Sequence, residues 1–172
     1  MELFDLYDTQ RRPTGLTMVR GTPTPAGHYR LVVHISIFNS KGQMLIQQRQ
    51  PFKDDWQNLW DISVGGSVTA GETSQTGAER ELAEELGITA DLQNTVPALT
   101  VTFNSGFDDH YIITRDLSID DLRLQYEEVQ AARWAEKDEI LAMIDNGTFI
   151  PYHKSLIELL FFLRDHKGTH TH

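Results

Sequence analysis

The chain has 172 residues, 40% hydrophobic and 23% charged, which fits one domain with a sizeable core and argues against a wholly disordered chain. Fifteen Lys and Arg against 25 Asp and Glu leave a net charge of -10, which argues against a nucleic-acid polymer or an anionic membrane as partner, since both need a basic face. The absence of cysteine excludes disulfides, thiolate metal sites and thiol nucleophiles. An acidic protein can still take a polyphosphate once a divalent metal offsets its carboxylates. Met1–Asp5 lacks the basic and apolar regions of a signal peptide, and Leu159–Leu163 is too short to cross a membrane, so a cytoplasmic location is expected.

In chain order, Leu3–Tyr7 and Leu16–Val19 form a hairpin around a turn at Arg12–Gly15, and Thr22–Gly27 is a loop. Tyr29–Phe38 is β-branched and apolar and reads as a buried strand, turning at Asn39–Gly42 into a returning strand Met44–Arg49. Gln50–Trp60 reads as irregular, and Asp61–Val64 as a short strand ending at Gly65-Gly66. Ser74–Leu86 is a helix stopped by Gly87. Two or three strands are expected between Ala90 and Asp116, another at Ala131–Ala135, and helices at Lys137–Asp145 and at Tyr152–His166 with Pro151 at its start. Strands and helices mix without strict alternation, which predicts an α/β (α+β) domain, a mixed sheet sandwiched between helices.

Glu81, Glu84 and Glu85 fall at i, i+3 and i+4 and share one helix face, while Ala78, Leu82 and Leu86 form an apolar stripe beside them. Clustered carboxylates raise one another's pKa unless a cation stands among them, and hard oxygen ligands select Mg²⁺, Mn²⁺ or Ca²⁺. An acidic helix face on its own is the ordinary solvated case. This one does not stand alone. Gly66, five residues, Glu72, seven residues and then Arg80-Glu81-Leu82-Ala83-Glu84-Glu85-Leu86-Gly87-Ile88 fill every fixed position of the Nudix box, a match expected by chance roughly once in ten million such chains.

The chain therefore resembles the Nudix family, a single domain over 1–172 with the box at 65–88, an N-terminal hairpin extension at 1–30 and a flexible tail at 167–172. The resemblance implies a loop–helix–loop in which Glu81, Glu84 and Glu85, with the carbonyl of Gly65, hold Mg²⁺ or Mn²⁺. It implies a diphosphate substrate attacked by water at phosphorus. Glu72 and Arg80 are expected to form a buried ion pair pinning the loop to the helix, with Gly66 and Gly71 permitting tight backbone and Gly66 close approach. Glu81, Glu84 or Glu128 could serve as the base, with Glu128 favoured over Glu127 of the acidic pair.

Phe38–Ile46, Arg49, Lys53 and Trp60, with the N-terminal extension, are similar to the isopentenyl-diphosphate isomerase branch of this family. In that branch the positions of Arg49 and Lys53 hold the diphosphate. The isomerase's cysteine falls at Gly65 and two of its metal-binding histidines at Arg30 and Ser67, so the expectation is a hydrolase rather than an isomerase. A nucleotide-sensing domain without catalysis is the other alternative, and the complete box argues against it. Trp56, Phe103 and Phe107 could stack a base, though packing is the commoner role. His34 reads as a satisfied core residue, His28, His110 and His153 have no assigned role, and His166, His170 and His172 lie in or beside the tail. The substrate is expected to be a small nucleoside di- or triphosphate, or a nucleoside diphosphate linked to another moiety, and a homodimer is expected from related proteins.

Overall fold

A computed structural model describes residues 2–168 and 170. The chain opens with a two-stranded hairpin, β1 (Leu3–Tyr7) and β2 (Pro13–Val19). The turn lies at Asp8–Arg12, upstream of the expected Arg12–Gly15. The Asp8 carboxylate accepts hydrogen bonds from the backbone N–H of Gln10 and Arg12 and from the Arg12 side chain, which closes the turn early and leaves Pro13–Gly15 in the strand.

The main sheet is built on β3 (Arg30–Phe38). It pairs in parallel with β8 (Gly106–Thr114), antiparallel with β6 (Val64–Ser67), and at one end with β4 (Met44–Arg49). β4 carries β9 (Val129–Ala135) along one edge and β5 (Trp60–Asp61) beyond β3 along the other, and β7 (Leu99–Phe103) lies outside β8. The single strand expected at Asp61–Val64 is thus two, one on β4 and one on β3. The crossing is made by fully buried Ser63, whose hydroxyl donates to the Leu45 carbonyl at 2.5 Å and accepts from the Ile37 N–H at 2.8 Å.

The period-two alternation of β3 sends Leu31, Val33, Ile35 and Ile37 to one sheet face. There they pack against Ala78, Leu82 and Leu86 of α1 (Ser74–Leu86), so the predicted apolar stripe is the one buried. Phe38, Met44 and Ile46 face the other way, against α2 (Lys137–Asp145) and α3 (Lys154–Asp165). This is the expected mixed sheet between helices. The last helix begins two residues later than expected, because the Tyr152 hydroxyl bonds Asp61 at 2.7 Å and the His153 ring caps the Ser155 N–H. Pro151 therefore precedes the helix and is not its first residue. Part of the expected tail, Thr169, Thr171 and His172, lies outside the described residues.

Candidate active site

The loop and helix of the site are fixed by local chemistry. Thr73 caps α1 by accepting from the Thr76 N–H, and the Thr76 hydroxyl accepts from the Thr73 N–H in return. At the other end Gly87 is left-handed at φ 70°, where a Cβ would stand 2.8 Å from the Cβ of Arg123. The N-terminal hairpin braces the loop: the Ala70 N–H donates to the Leu3 carbonyl and the Gly71 N–H to the Asp5 carboxylate, each at 2.8 Å. Buried Asp109 joins the same elements, accepting from Arg11 of the hairpin turn, Ser74 of α1 and Thr100 of β7.

Glu72 and Arg80 form the expected pair, 2.8 Å apart and partly rather than fully buried. Arg80 also donates to the Ser67 carbonyl at 2.9 Å, which ties the loop to the helix. Its guanidinium then reaches Glu81 and Glu84, each at 2.9 Å. Burial alone would lower the Arg80 pKa, but the Glu72 hydrogen bond and the nearby carboxylates outweigh it and hold the cation firmly charged.

The three glutamates share a helix side but not an environment. Glu84 is half exposed. Glu81 is pushed up to about 7, chiefly by burial, against the pull of Arg80. Glu85 is buried, and burial raises its pKa well above the carboxylate range despite a 2.9 Å hydrogen bond from Gln47 Nε2; the charges of Glu81, Glu128 and Asp61 add to the rise. Carboxyls held this way resist ionisation until a cation arrives, so the oxygen donors of Glu81, Glu84 and Glu85 suit a hard divalent ion.

Glu128 is drawn to this site by its neighbours. The Gln50 N–H donates to the Glu128 carbonyl at 3.0 Å, and Lys53 Nζ lies 2.6 Å from the Glu128 carboxylate. Two residues named separately in the sequence are therefore one ion pair. Arg49 donates to the Asp55 carbonyl at 3.2 and 3.3 Å. Glu127 is exposed. Among the aromatics, Phe107 is buried in the α1-side core against Tyr29, because its strand parity is that of the core residues, so its ring is not free to stack a base. Phe103 lies on the other face under the Arg30 guanidinium, and Trp56 is half exposed at φ 53°.

The positions that carry histidines in the isomerase are joined here by a hydrogen bond, Arg30 Nη1 donating to Ser67 Oγ at 2.8 Å. The space that the isomerase's cysteine would need at Gly65 is filled: a Cβ there would lie 2.6 and 2.8 Å from Cδ2 and Nε2 of His34. His34 is hydrogen-bonded to Asp108, as a satisfied residue should be, but it also belongs to a cluster with Asp108 and His110. Sequence reasoning missed Asp108 and His110; their i, i+2 spacing was visible, but their meeting with His34 depends on the register of β3 against β8. Burial would raise the Asp108 pKa, and the imidazoles of His110 and His34 outweigh it and hold the group well below its ordinary range.

The NUDIX domain model matches residues 28–159. A Nudix hydrolase of Listeria monocytogenes is 46% identical over 170 residues, spanning 99% of each chain. The isopentenyl-diphosphate Delta-isomerase of Corynebacterium diphtheriae is 26% identical over 161 residues, covering 87% of this chain and 86% of the relative. Among solved structures, DR0079 from Deinococcus radiodurans superposes with a TM-score of 0.72 at 28% identity, over 92% of this chain and 97% of that one. No described helix is long and apolar enough to cross a membrane. With the complete box folded as loop and helix, and with relatives matched over the full length, the chain belongs to the Nudix hydrolase family.

Proposed function

We propose that the protein is a metal-dependent hydrolase that cleaves a diphosphate linkage in a small substrate, a nucleoside di- or triphosphate or a nucleoside diphosphate joined to another moiety. The observation that carries this reading is the set of three helix carboxylates, two of them held above their ordinary pKa by burial. Glu81, Glu84 and Glu85 would hold Mg²⁺ or Mn²⁺ with the Gly65 carbonyl, and the ion would offset charge on the phosphoryl oxygens and orient water for in-line attack.

The remaining work falls to the chain's own groups. Arg80 fixes the rotamers of Glu81 and Glu84. Gln47 fixes Glu85. Glu81, Glu84 and Glu128 are the candidates for the base that takes the proton from water. Lys53 and Arg49 would meet the substrate's phosphates, Lys53 by exchanging Glu128 for them. Isomerase chemistry is disfavoured because the position of its cysteine is Gly65, with His34 packed against it. Cytoplasmic location and a homodimer remain part of the reading.

The test is release of phosphate or diphosphate from a panel of nucleoside di- and triphosphates, nucleotide sugars, dinucleotides and prenyl diphosphates, with Mg²⁺ or Mn²⁺ and with chelator. Metal-dependent turnover lost in Glu84→Gln supports the reading. Tight binding of one compound without turnover would point instead to a sensing domain.

A further inference from the structure

The sheet face opposite α1 carries a second set of donors. Parallel pairing of β3 with β8 sets His34 directly across from His110, and Asp108 precedes His110 by two residues, so all three side chains leave the same face. One donor atom from each lies within 4.8 Å of the others. His34 Nδ1 donates to Asp108 Oδ1 at 2.7 Å, and the two imidazoles stack with centroids 5.1 Å apart.

His110 sets this cluster apart from an ordinary hydrogen-bonded pair. It is 1% exposed, and neither of its ring nitrogens has a hydrogen-bond partner. Nε2 stands 3.2 Å from Asp108 Oδ2, close enough to interact but not aligned to donate. Buried polar atoms are nearly always partnered, so an orphaned imidazole aimed at a carboxylate needs a cause. Donors bound at about 2.0–2.1 Å to a tetrahedral ion lie roughly 3.3 Å from one another, close to the 3.2 Å between His110 Nε2 and Asp108 Oδ2 and wider than the 2.7 Å between His34 Nδ1 and Asp108 Oδ1.

We propose that His34, Asp108 and His110 bind a borderline divalent ion such as Zn²⁺ or Co²⁺ at a site separate from the carboxylates of α1. Two imidazoles and one carboxylate favour such ions over Mg²⁺, which prefers an all-oxygen set. The Asp108 carboxyl stays ionised in this setting, as a ligand must. Access is from the Asp108 and His34 side, whose side chains keep 18% and 17% of their surface exposed, while His110 closes the bottom. Arg30, the nearest cation along β3, does not fill the site, because its guanidinium is turned to Ser67 Oγ and to the rings of Phe4 and Phe103. Three protein donors leave coordination positions open, so the bound ion can accept an oxygen ligand such as water or a phosphate. The site adjoins Gly65, against which His34 packs, while Glu81 packs against Gly66 from the other side of β6.

The probe is CoCl₂ titrated into chelator-stripped full-length protein and followed by the visible absorption of Co²⁺, with metal content after dialysis measured by mass spectrometry. One equivalent of Co²⁺ is expected, with the intense bands of a low-coordinate ion, resistant to millimolar Mg²⁺. The signal should persist in Glu85→Gln and weaken at least tenfold in His110→Gln and Asp108→Asn. Circular dichroism checks each variant's fold; if His110→Gln does not fold, His34→Gln, at a partly exposed position, decides in its place. Absence of the bands, their loss in Glu85→Gln, or their survival in the folded cluster variants would each overturn the proposal. None of these readouts uses turnover, so the result stands apart from the hydrolase reading.

Discussion

The carboxyl of Glu81 occupies the space that a side chain on Gly66 would fill. The spacing of loop and helix in the box thus has a steric meaning in this chain: the glycine makes room for the acid. Gly66→Ala should push Glu81 off its position and weaken Mg²⁺ binding by about 10–100-fold, the range seen when a ligand's support is disturbed. Calorimetric titration of Mg²⁺ checks this; unchanged affinity would mean that Glu81 is not a ligand in that place.

Burial of Glu85 makes its substitution two-sided. Glu85→Gln keeps the volume and the contact with Gln47 but removes a carboxyl whose charge is strongly disfavoured by burial. The metal-free variant should melt a few degrees higher than the parent, on the scale of about 4 °C per kcal/mol or less for a domain of this size. Its metal-dependent turnover should fall by about 10³-fold or more. A lower melting point with normal turnover would remove Glu85 from the site.

The raised pKa of Glu81 fixes the sign of a pH effect. The unfolded carboxyl titrates near 4.5 and the folded one near 7, so the native state holds the proton longer. Metal-free protein should therefore lose stability as pH rises from about 4.5 through 7, and Glu85 and His34, both raised, act in the same direction. Scanning calorimetry in chelator across that range is the measurement. Glu81→Gln should flatten the slope, and saturating Mg²⁺ should reverse it. A parent protein that gains stability over this range without metal would contradict the assignment.

Glu72 and Arg80 connect loop to helix through partly buried hydrogen bonds. Glu72→Ala should cost about 1–3 kcal/mol, since a charged hydrogen bond is lost and the Thr69 N–H loses its acceptor. Urea denaturation checks this, and an unchanged midpoint would argue that the pair does not pin the loop.

Arg11 tests the role of the N-terminal hairpin. Its guanidinium faces the fully buried carboxylate of Asp109, which also binds Ser74 and Thr100. Arg11→Met should destabilise the fold by about 3 kcal/mol, because a buried carboxylate is left without its cation. A loss confined to the hairpin, seen as local hydrogen exchange with an unchanged global midpoint, would show that the extension is a separate unit.

The sequence by itself determined the chemistry that is local in the chain. Glu81, Glu84 and Glu85 share a helix side because a helix repeats every 3.6 residues, and Thr73, Thr76 and Gly87 end that helix by short-range bonds. Alternation along β3 likewise fixed which residues enter the core. The tertiary structure alone decided what depends on register and approach between distant segments. It graded the three glutamates from exposed to buried, since the packing of Leu82 and Leu86 drags Glu85 inward with them. It paired Lys53 with Glu128, and it set Phe107 and Phe103 on opposite faces. Above all it brought His34 to Asp108 and His110, a meeting set by the parallel pairing of β3 and β8: a shift of one residue would send one strand's side chains to the other face and dissolve the cluster.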